Sequence, residues 1–395
     1  MNATVTEPET QVRRADTIPG LERALRPQEM VINMGPQHPS THGVLRLELV
    51  VDGEVVVDMI PHIGYLHRCF EKHCEHMTNY QQVIPYADRL DYVAAMSSEF
   101  GFAVAAEKLL GIKVPEKVEY IRVIMAELSR IASHLIALGT YGMDIGAFTP
   151  FLYCMRDREH ILDIFEQTCG ARLLYNYNWV GGLSHDVKPN FKQKVRDFCT
   201  YFKPKIVELN DLLSYNKIFI ERTANVGVLP PDVAINCGVS GPTLRGSGVK
   251  WDIRKNDPYS VYPQIDFDVP IGMGLKGTVG DCWDRYMVRV HEMEQSVRIM
   301  EQAVEQMPDE GDVQSALPKR IRPNPGEIYV RTETPKGELG YYIVSDGTAS
   351  PFRVKVKSPC YVNLSALPTM SRGAMIADVV AILGSIDIVL GEVDR

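Results

Sequence analysis

The densest group of residues able to do chemistry is Gly35-Pro36-Gln37-His38-Pro39-Ser40-Thr41-His42-Gly43. Two histidines stand four apart, but Pro39 excludes an ordinary helical interior, so helical metal-ligand spacing does not apply. Glycines at both ends and two prolines describe a shaped loop ahead of a strand, where backbone can approach a ligand closely. A structural loop whose histidines bond to backbone carbonyls fits the spacing equally well.

A second group, His62, His67, His73 and His76, packs four histidines into fifteen residues. Their spacings match no standard metal site, and Arg68 and Lys72 would repel a cation, so structural use is the expectation. In Asp88-Arg89-Leu90-Asp91-Tyr92 a phenol stands beside two acids and an arginine, which suits a donor in a polar pocket. Unaided, the pentapeptide reads as a solvated helix start. Asp144 is a lone acid in the small-residue stretch Gly139 to Gly146. Such an acid commonly caps the next helix, and a buried histidine partner is the sharper alternative. Of eight cysteines only Cys69 and Cys74 are close, and no pair has the two-residue spacing of zinc or iron–sulfur sites. They read as reduced, mostly buried thiols. No phosphate-binding glycine loop, P-loop or serine-nucleophile elbow occurs.

The elements that must position these residues read as α+β. Val44 to Val50 roughly alternates as a half-buried strand, Asp52-Gly53 turns, and Glu54 to Ile60 returns. Helical spacing follows over Glu99–Leu110 and Val118–Leu138, the latter starting near Pro115 and ending at Gly139. Further helices are expected near 150–168, 190–215 and 282–306. The stretch 226–280 reads as irregular and, at that length, as a candidate functional segment. Tyr341–Val344 and Phe352–Lys357 form a last β element. The expected division is a flexible tail over 1–27 and one domain over 28–395. That domain holds a β region at 28–61, a helical core at 62–306, and a β and terminal-helix region at 327–395. Acids outnumber bases 50 to 42 for a net charge of -8, so a nucleic-acid partner has no global electrostatic support. No apolar run approaches the ~18–20 residues that span a bilayer, and the first residues resemble neither a secretory signal nor a transit peptide.

Taken in order, several stretches resemble the D-type subunits of respiratory complex I: GPQHPSTHG (35–43), HIGYLH (62–67), DRLDY (88–92), ELSRIASHL (127–135), GELGYYIVS (337–345) and GSIDIVLGEVDR (384–395). The resemblance runs from about Val31 to Arg395. That family is similar to the large subunit of nickel–iron hydrogenases, which implies a mainly helical core bundle with small antiparallel sheets near both ends. Hydrogenases hold their metals with two Cys-x-x-Cys pairs. Here Val389 and Glu392 take the later cysteine places, Arg395 the histidine place, and Asp91 and Ala94 the earlier pair. Without thiolates a soft nickel–iron centre has no ligands, so hydrogenase activity is not expected.

The resemblance implies a vacated metal cavity reused for quinone. On this reading His42 and Tyr92 donate hydrogen bonds to the quinone head, Asp144 pairs with His42, and His38, Arg89 and Asp91 are further pocket candidates. Two-electron reduction builds negative charge on the quinone oxygens, and a protonated histidine and a phenol can stabilise that charge and supply protons. No cofactor is expected on this chain. Electrons would come from the terminal cluster of an iron–sulfur small subunit packed against it. Other implied partners are a subunit of the C type in the peripheral arm and the quinone-channel subunit of the membrane arm. The implied place is the cytoplasmic side of a bacterial inner membrane, with the mitochondrial matrix face for an organellar gene. A hydrogenase-type catalyst and an inert scaffold are the rival readings, and the upstream electron donor stays open.

Overall fold

Strand β1 (Glu29–Met34) pairs antiparallel with β2 (Arg46–Asp52), and β2 with β3 (Val55–His62), in the order β1-β2-β3. The structure is a computed structural model that describes residues 26, 28–37, 41–318 and 321–395. His38, and the expected tail over 1–27 apart from residue 26, lie outside the described residues. The Asp52-Gly53 turn forms as expected, with Gly53 at φ +61°. β2 is not half-exposed. Leu47, Leu49 and Val51 enter the main core, while Val50 packs with Val31, Val57 and Ile60 on the other side. Burial on both faces explains why the alternation in its sequence is imperfect.

The helices follow: α1 (Phe70–His76), α2 (Ile84–Ala87), α3 (Ala95–Leu110), α4 (Glu116–Asp144) and α5 (Phe148–Cys169). Pro115 is the N-cap of α4, and Glu116 and Glu119 in its first turn complement the helix dipole. The helix does not stop at Gly139. It runs to Asp144, because Gly139 and Gly142 are contact points rather than terminators. A Cβ on Gly139 would lie 3.2 Å from the Phe151 backbone, and one on Gly142 would lie 3.2 Å from Leu213. The next elements are the short hairpin β4 (Asn178–Trp179) and β5 (Gly182–Leu183), then α6 (Phe191–Leu209), which continues into one π turn at Asn210–Ser214. Helix α7 (Lys217–Thr223) comes after it.

The stretch 226–280 is less irregular than its sequence suggests. It contains α8 (Pro231–Asn236), α9 (Gly241–Gly246) and α10 (Ile253–Asn256). Apolar residues such as Leu229, Leu244, Ile253, Tyr262 and Phe267 join the core, and buried ion pairs connect the stretch to its neighbours as well. Arg245 meets Glu292 at 2.7 Å, Glu333 at 2.8 Å and Asp252 at 3.6 Å, and Arg254 meets Glu127 at 3.0 Å and Asp252 at 2.6 Å. All of these side chains are buried. Burial also pushes His134, 3.0 Å from Glu292, down to about 4, so its ring is neutral at pH 7.

Helix α11 (Cys282–Gln306) matches its expected span and packs on α4, α6 and α9. The last sheet is β6 (Gly326–Thr334), β7 (Gly337–Ser345) and β8 (Arg353–Lys357), antiparallel in that order. The chain closes with α12 (Pro359–Ser365), α13 (Leu367–Ser371), α14 (Ile376–Ile386) and α15 (Leu390–Asp394). The result is the expected α+β arrangement, a mainly helical core with small antiparallel sheets towards both ends. Strands β1 and β6 have no counterpart among the elements expected from the sequence. Among the described residues no helix is long and apolar enough to cross a membrane.

Candidate functional site

His42 enters the site from the loop between β1 and β2. Thr41 ties the loop's ends together. Its Oγ1 donates to the Gln37 carbonyl at 2.9 Å and accepts the Gln37 N–H at 3.1 Å. His42 itself has φ +50°, in the left-handed region that a non-glycine residue enters at a cost of about 1–2 kcal/mol. That conformation brings its Nε2 to 2.6 Å from Asp144 Oδ2. Asp144 is the last residue of α4, and α5 begins after Ala147 without a side-chain cap. The expectation that Asp144 caps the next helix is therefore overturned, and the histidine partner is what forms.

Tyr92 comes from the turn between α2 and α3. The solvated helix start read from Asp88-Arg89-Leu90-Asp91-Tyr92 does not exist, because Asp88 and Asp91 are wholly buried. Asp91 Oδ1 accepts the N–H groups of Val93 and Ala94 at 3.1 and 3.2 Å, which sets the turn into α3. Burial pushes the Tyr92 phenol up, and the neighbouring Asp91 charge adds to it. A neutral phenol held that way is a donor rather than a base.

His42, Tyr92 and Asp144 line one cavity of about 390 Å³. Val93, Ile136, Met143, Ile388 and Val389 give it apolar walls, and Lys336 and Asp387 add charge. The Lys336 ammonium is 2.5 Å from Asp387 Oδ2, and Arg289 approaches the same oxygen at 3.8 Å. Burial works against the Lys336 charge, but Asp387 and Asp91 outweigh it and hold its pKa above the ordinary lysine value. Asp387 shares with His42 a left-handed backbone, at φ +52°.

Val389 lines this cavity, and the residues that follow it pack against the turn that carries Tyr92. Gly391 fits so tightly against the 88–92 turn that a Cβ would come within 2.8 Å of the Leu90 carbonyl. Glu392 is wholly buried and is pushed up to about 7 by burial and by the Asp91 charge. Asp91 is buried and is not among the residues that line the cavity. Arg89 is not among the lining residues; its guanidinium turns back to the Pro85 carbonyl.

The histidines of the second group disperse. His62 bonds Glu48 at 3.1 Å, His67 Nδ1 lies 2.6 Å from the Asp394 carbonyl oxygen, and His73 stacks on Tyr86. Five cysteines are buried, and Cys69 is exposed. Lys336 is the cavity residue that sequence reasoning misses. It occupies the β6–β7 turn, Thr334-Pro335-Lys336-Gly337, where a lysine ordinarily points to water. Only the closure of that turn over the core buries it, and no local pattern signals this.

An α+β protein with a helical core, and an apolar cavity that gathers an imidazole, a phenol and an ammonium, is the class defined by fold and site. The family model described as the respiratory-chain NADH dehydrogenase 49 kDa subunit matches residues 144–324 and 315–395. The chain is 59% identical over 386 residues to the D subunit of NADH-quinone oxidoreductase from Chlorobium phaeovibrioides, covering 97% of this chain and 96% of the relative. To the protein of the same name from Chlorobaculum tepidum it is 59% identical over 387 residues, with the same coverage. To that of Prosthecochloris aestuarii it is 57% identical over 378 residues, covering 95% and 94%. This chain belongs to the family of the 49 kDa subunit of respiratory-chain NADH dehydrogenase.

Proposed function

We propose that the chain is a core subunit of a proton-pumping NADH:quinone oxidoreductase and builds the quinone-reduction pocket together with an iron–sulfur small subunit. The observation that carries the reading is the single cavity lined by His42, Tyr92, Asp144 and Lys336. Apolar walls suit a quinone ring, and the polar groups can stabilise negative charge that develops on its oxygens.

A terminal iron–sulfur cluster of the small subunit would supply the electrons, and this chain's residues handle protons. His42, as imidazolium, donates towards one quinone oxygen and Tyr92 towards the other. As each oxygen gains negative charge it takes a proton from its donor. Lys336 remains charged and offsets the phenolate left on Tyr92. When His42 becomes neutral, its attraction to Asp144 weakens, and that local change can bias neighbouring elements as coupling to proton translocation requires. Asp91 supports the pocket through the turn that carries Tyr92, and His38 and Arg89 are further candidates for contact with the quinone. Further contacts are to a subunit of the C type and to the quinone-channel subunit of the membrane arm, on the cytoplasmic side of a bacterial inner membrane.

The test is quinone reductase activity of the assembled complex carrying Tyr92→Phe or His42→Ala, with assembly checked by the intact iron–sulfur signal. A steep loss of quinone turnover with artificial-acceptor activity retained supports the reading. Unchanged turnover in both variants moves the quinone site elsewhere and leaves this chain a scaffold.

A further inference from the structure

Beneath the Tyr92 turn lie two carboxyl groups that the proposed chemistry does not use. Asp88 and Glu99 are both wholly buried, and their carboxyl groups accept the successive backbone N–H groups of residues 176, 177 and 178, which sets them side by side. Asp88 Oδ2 accepts the backbone N–H of Asn176 at 2.7 Å. Glu99 accepts the N–H of Tyr177, the N–H of Asn178 and the Asn178 side-chain amide, each at 3.0 Å. Asp88 Oδ1 is buried and receives no N–H or O–H donor from the neighbouring groups. Two carboxyl oxygens can hydrogen bond to one another only when one carries a proton. Two carboxylates side by side in a dry site cannot both stay ionised.

Cations do not rescue the pair. Arg89 acts on Asp88 from its own segment but donates to the Pro85 carbonyl. Arg122, on α4, acts on Glu99 but is held by Glu107 at 2.6 and 3.0 Å. The other titratable groups facing the pair are Cys169 at the end of α5, Tyr175 and Tyr177 in the approach to β4, and Tyr341 on β7. Burial pushes all four up, so they stay neutral across the working pH range.

We propose that Asp88 and Glu99 hold one proton between them, and that this carboxyl–carboxylate pair is the positioning element that presents Tyr92 to the quinone. The inference rests on the reading of Tyr92 as a quinone donor. Asp88 ends α2, its N–H returning to the Ile84 carbonyl at 3.0 Å, and Asp91 sets the entry to α3. Tyr92 thus hangs on a turn whose first residue is fixed to α3 and to residues 176–178 through the shared proton. Loss of that proton places two anions together, separates Asp88 from Glu99 and moves the turn. The step is a simple deprotonation, with the proton going to solvent.

The experiment uses the assembled complex and measures quinone KM and kcat against pH in the parent and in Glu99→Gln. Glutamine cannot ionise, but turning its amide towards Asp88 Oδ1 gives up one of the N–H bonds that Glu99 accepts. Asp88→Asn is therefore measured beside it, because its amide takes the place of the unpartnered Oδ1 while its oxygen still accepts the Asn176 N–H. The expected result is a several-fold rise in parent KM as pH increases, with kcat little changed. Glu99→Gln keeps near-parental turnover at neutral pH, and its KM stays flat. An equal alkaline rise in both proteins, or a flat parent, overturns the proposal. If Glu99→Gln does not assemble, Asp88→Asn carries the same comparison. Infrared difference spectra between parent and variant separate the two readings. A protonated-carboxyl C=O band lost in the variant supports the shared proton even if Tyr92→Phe leaves quinone turnover untouched, and its absence from the parent overturns it.

Discussion

His42 Nε2 and Asp144 Oδ2 lie 2.6 Å apart, joining a loop before β2 to the end of α4 across 102 residues of sequence. The Asp144 side chain is wholly buried and that of His42 nearly so, so the pair is shielded from solvent and its interaction depends strongly on the imidazole's charge. Losing a positioned proton donor typically lowers the rate about 10²–10⁴-fold. His42→Ala in the assembled complex should therefore lower quinone turnover by that order while artificial-acceptor reduction continues. Asp144→Asn keeps a hydrogen bond but not the charge, and should fall between parent and His42→Ala. Protons translocated per electron, measured in vesicles, test the coupling role. If either replacement preserved quinone reduction and left that ratio unchanged, the role would be lost.

Tyr92 and Lys336 make separable contributions to the same cavity. Tyr92→Phe removes one hydroxyl and little volume, and loss of one such donor costs about 10²–10³ in kcat where it acts on developing charge. The expected signature is a fall in kcat larger than any rise in KM. Lys336→Met should also lower kcat, and among the described residues it leaves Asp387 with Arg289 at 3.8 Å as its cation. Adding Asp387→Asn removes the uncompensated charge, so the double variant should melt at a higher temperature than Lys336→Met alone. A double variant no more stable than the single one would show that the ion pair is not what Lys336 holds together.

The long helices are legible in the sequence, and the charged interior is not. Met287, Val290, Met293 and Val297 give α11 a regular apolar step, and α11 occupies its expected span. Helix α4 is legible too, but Gly139 reads as a stop because local reasoning cannot see Phe151 against it. The His42–Asp144 pair is open only as an alternative, since no spacing rule connects a loop to a helix end 102 residues away. Lys336 and Glu99 carry no local signal at all. One sits in a turn and the other on an apolar helix, and their partners arrive from distant segments only when the core closes. The ion pairs of 226–280 are hidden for the same reason, because Glu292, Glu333 and Glu127 reach Arg245 and Arg254 from distant segments.

That ionic core makes a prediction opposite in size to one at the surface. Arg245 is wholly buried between Glu292, Glu333 and Asp252. Removing one member of such a set strands buried charge and costs about 3–5 kcal/mol. Arg245→Met should therefore prevent assembly or lower the melting temperature sharply, although Arg245 is not in the cavity wall. Arg172 also meets three acids, Glu159, Asp163 and Glu166, but on the solvated face of α5. Water and salt screen exposed pairs, so Arg172→Ala should leave stability within experimental scatter. Thermal denaturation of the two variants side by side decides the matter, and comparable losses would overturn the distinction.

Glu392 sets a pH dependence of stability whose sign is opposite to that of a salt-bridged acid. Burial first, and then the Asp91 charge, push its carboxyl from the ordinary 4.5 up to about 7. The folded chain therefore binds a proton that the unfolded chain has released between those values. The associated stability is complete below the ordinary value and is lost as pH rises through about 7. A shift of that size corresponds to about 3 kcal/mol when fully expressed. Glu392→Gln removes the ionisation, its carbonyl can still accept the Cys360 N–H now 3.2 Å from Glu392, and its neutral amide does not repel Asp91. Parent and variant should melt together at about pH 5, and the variant should be the more stable at about pH 8. A constant gap between them across that range would mean that Glu392 does not titrate there.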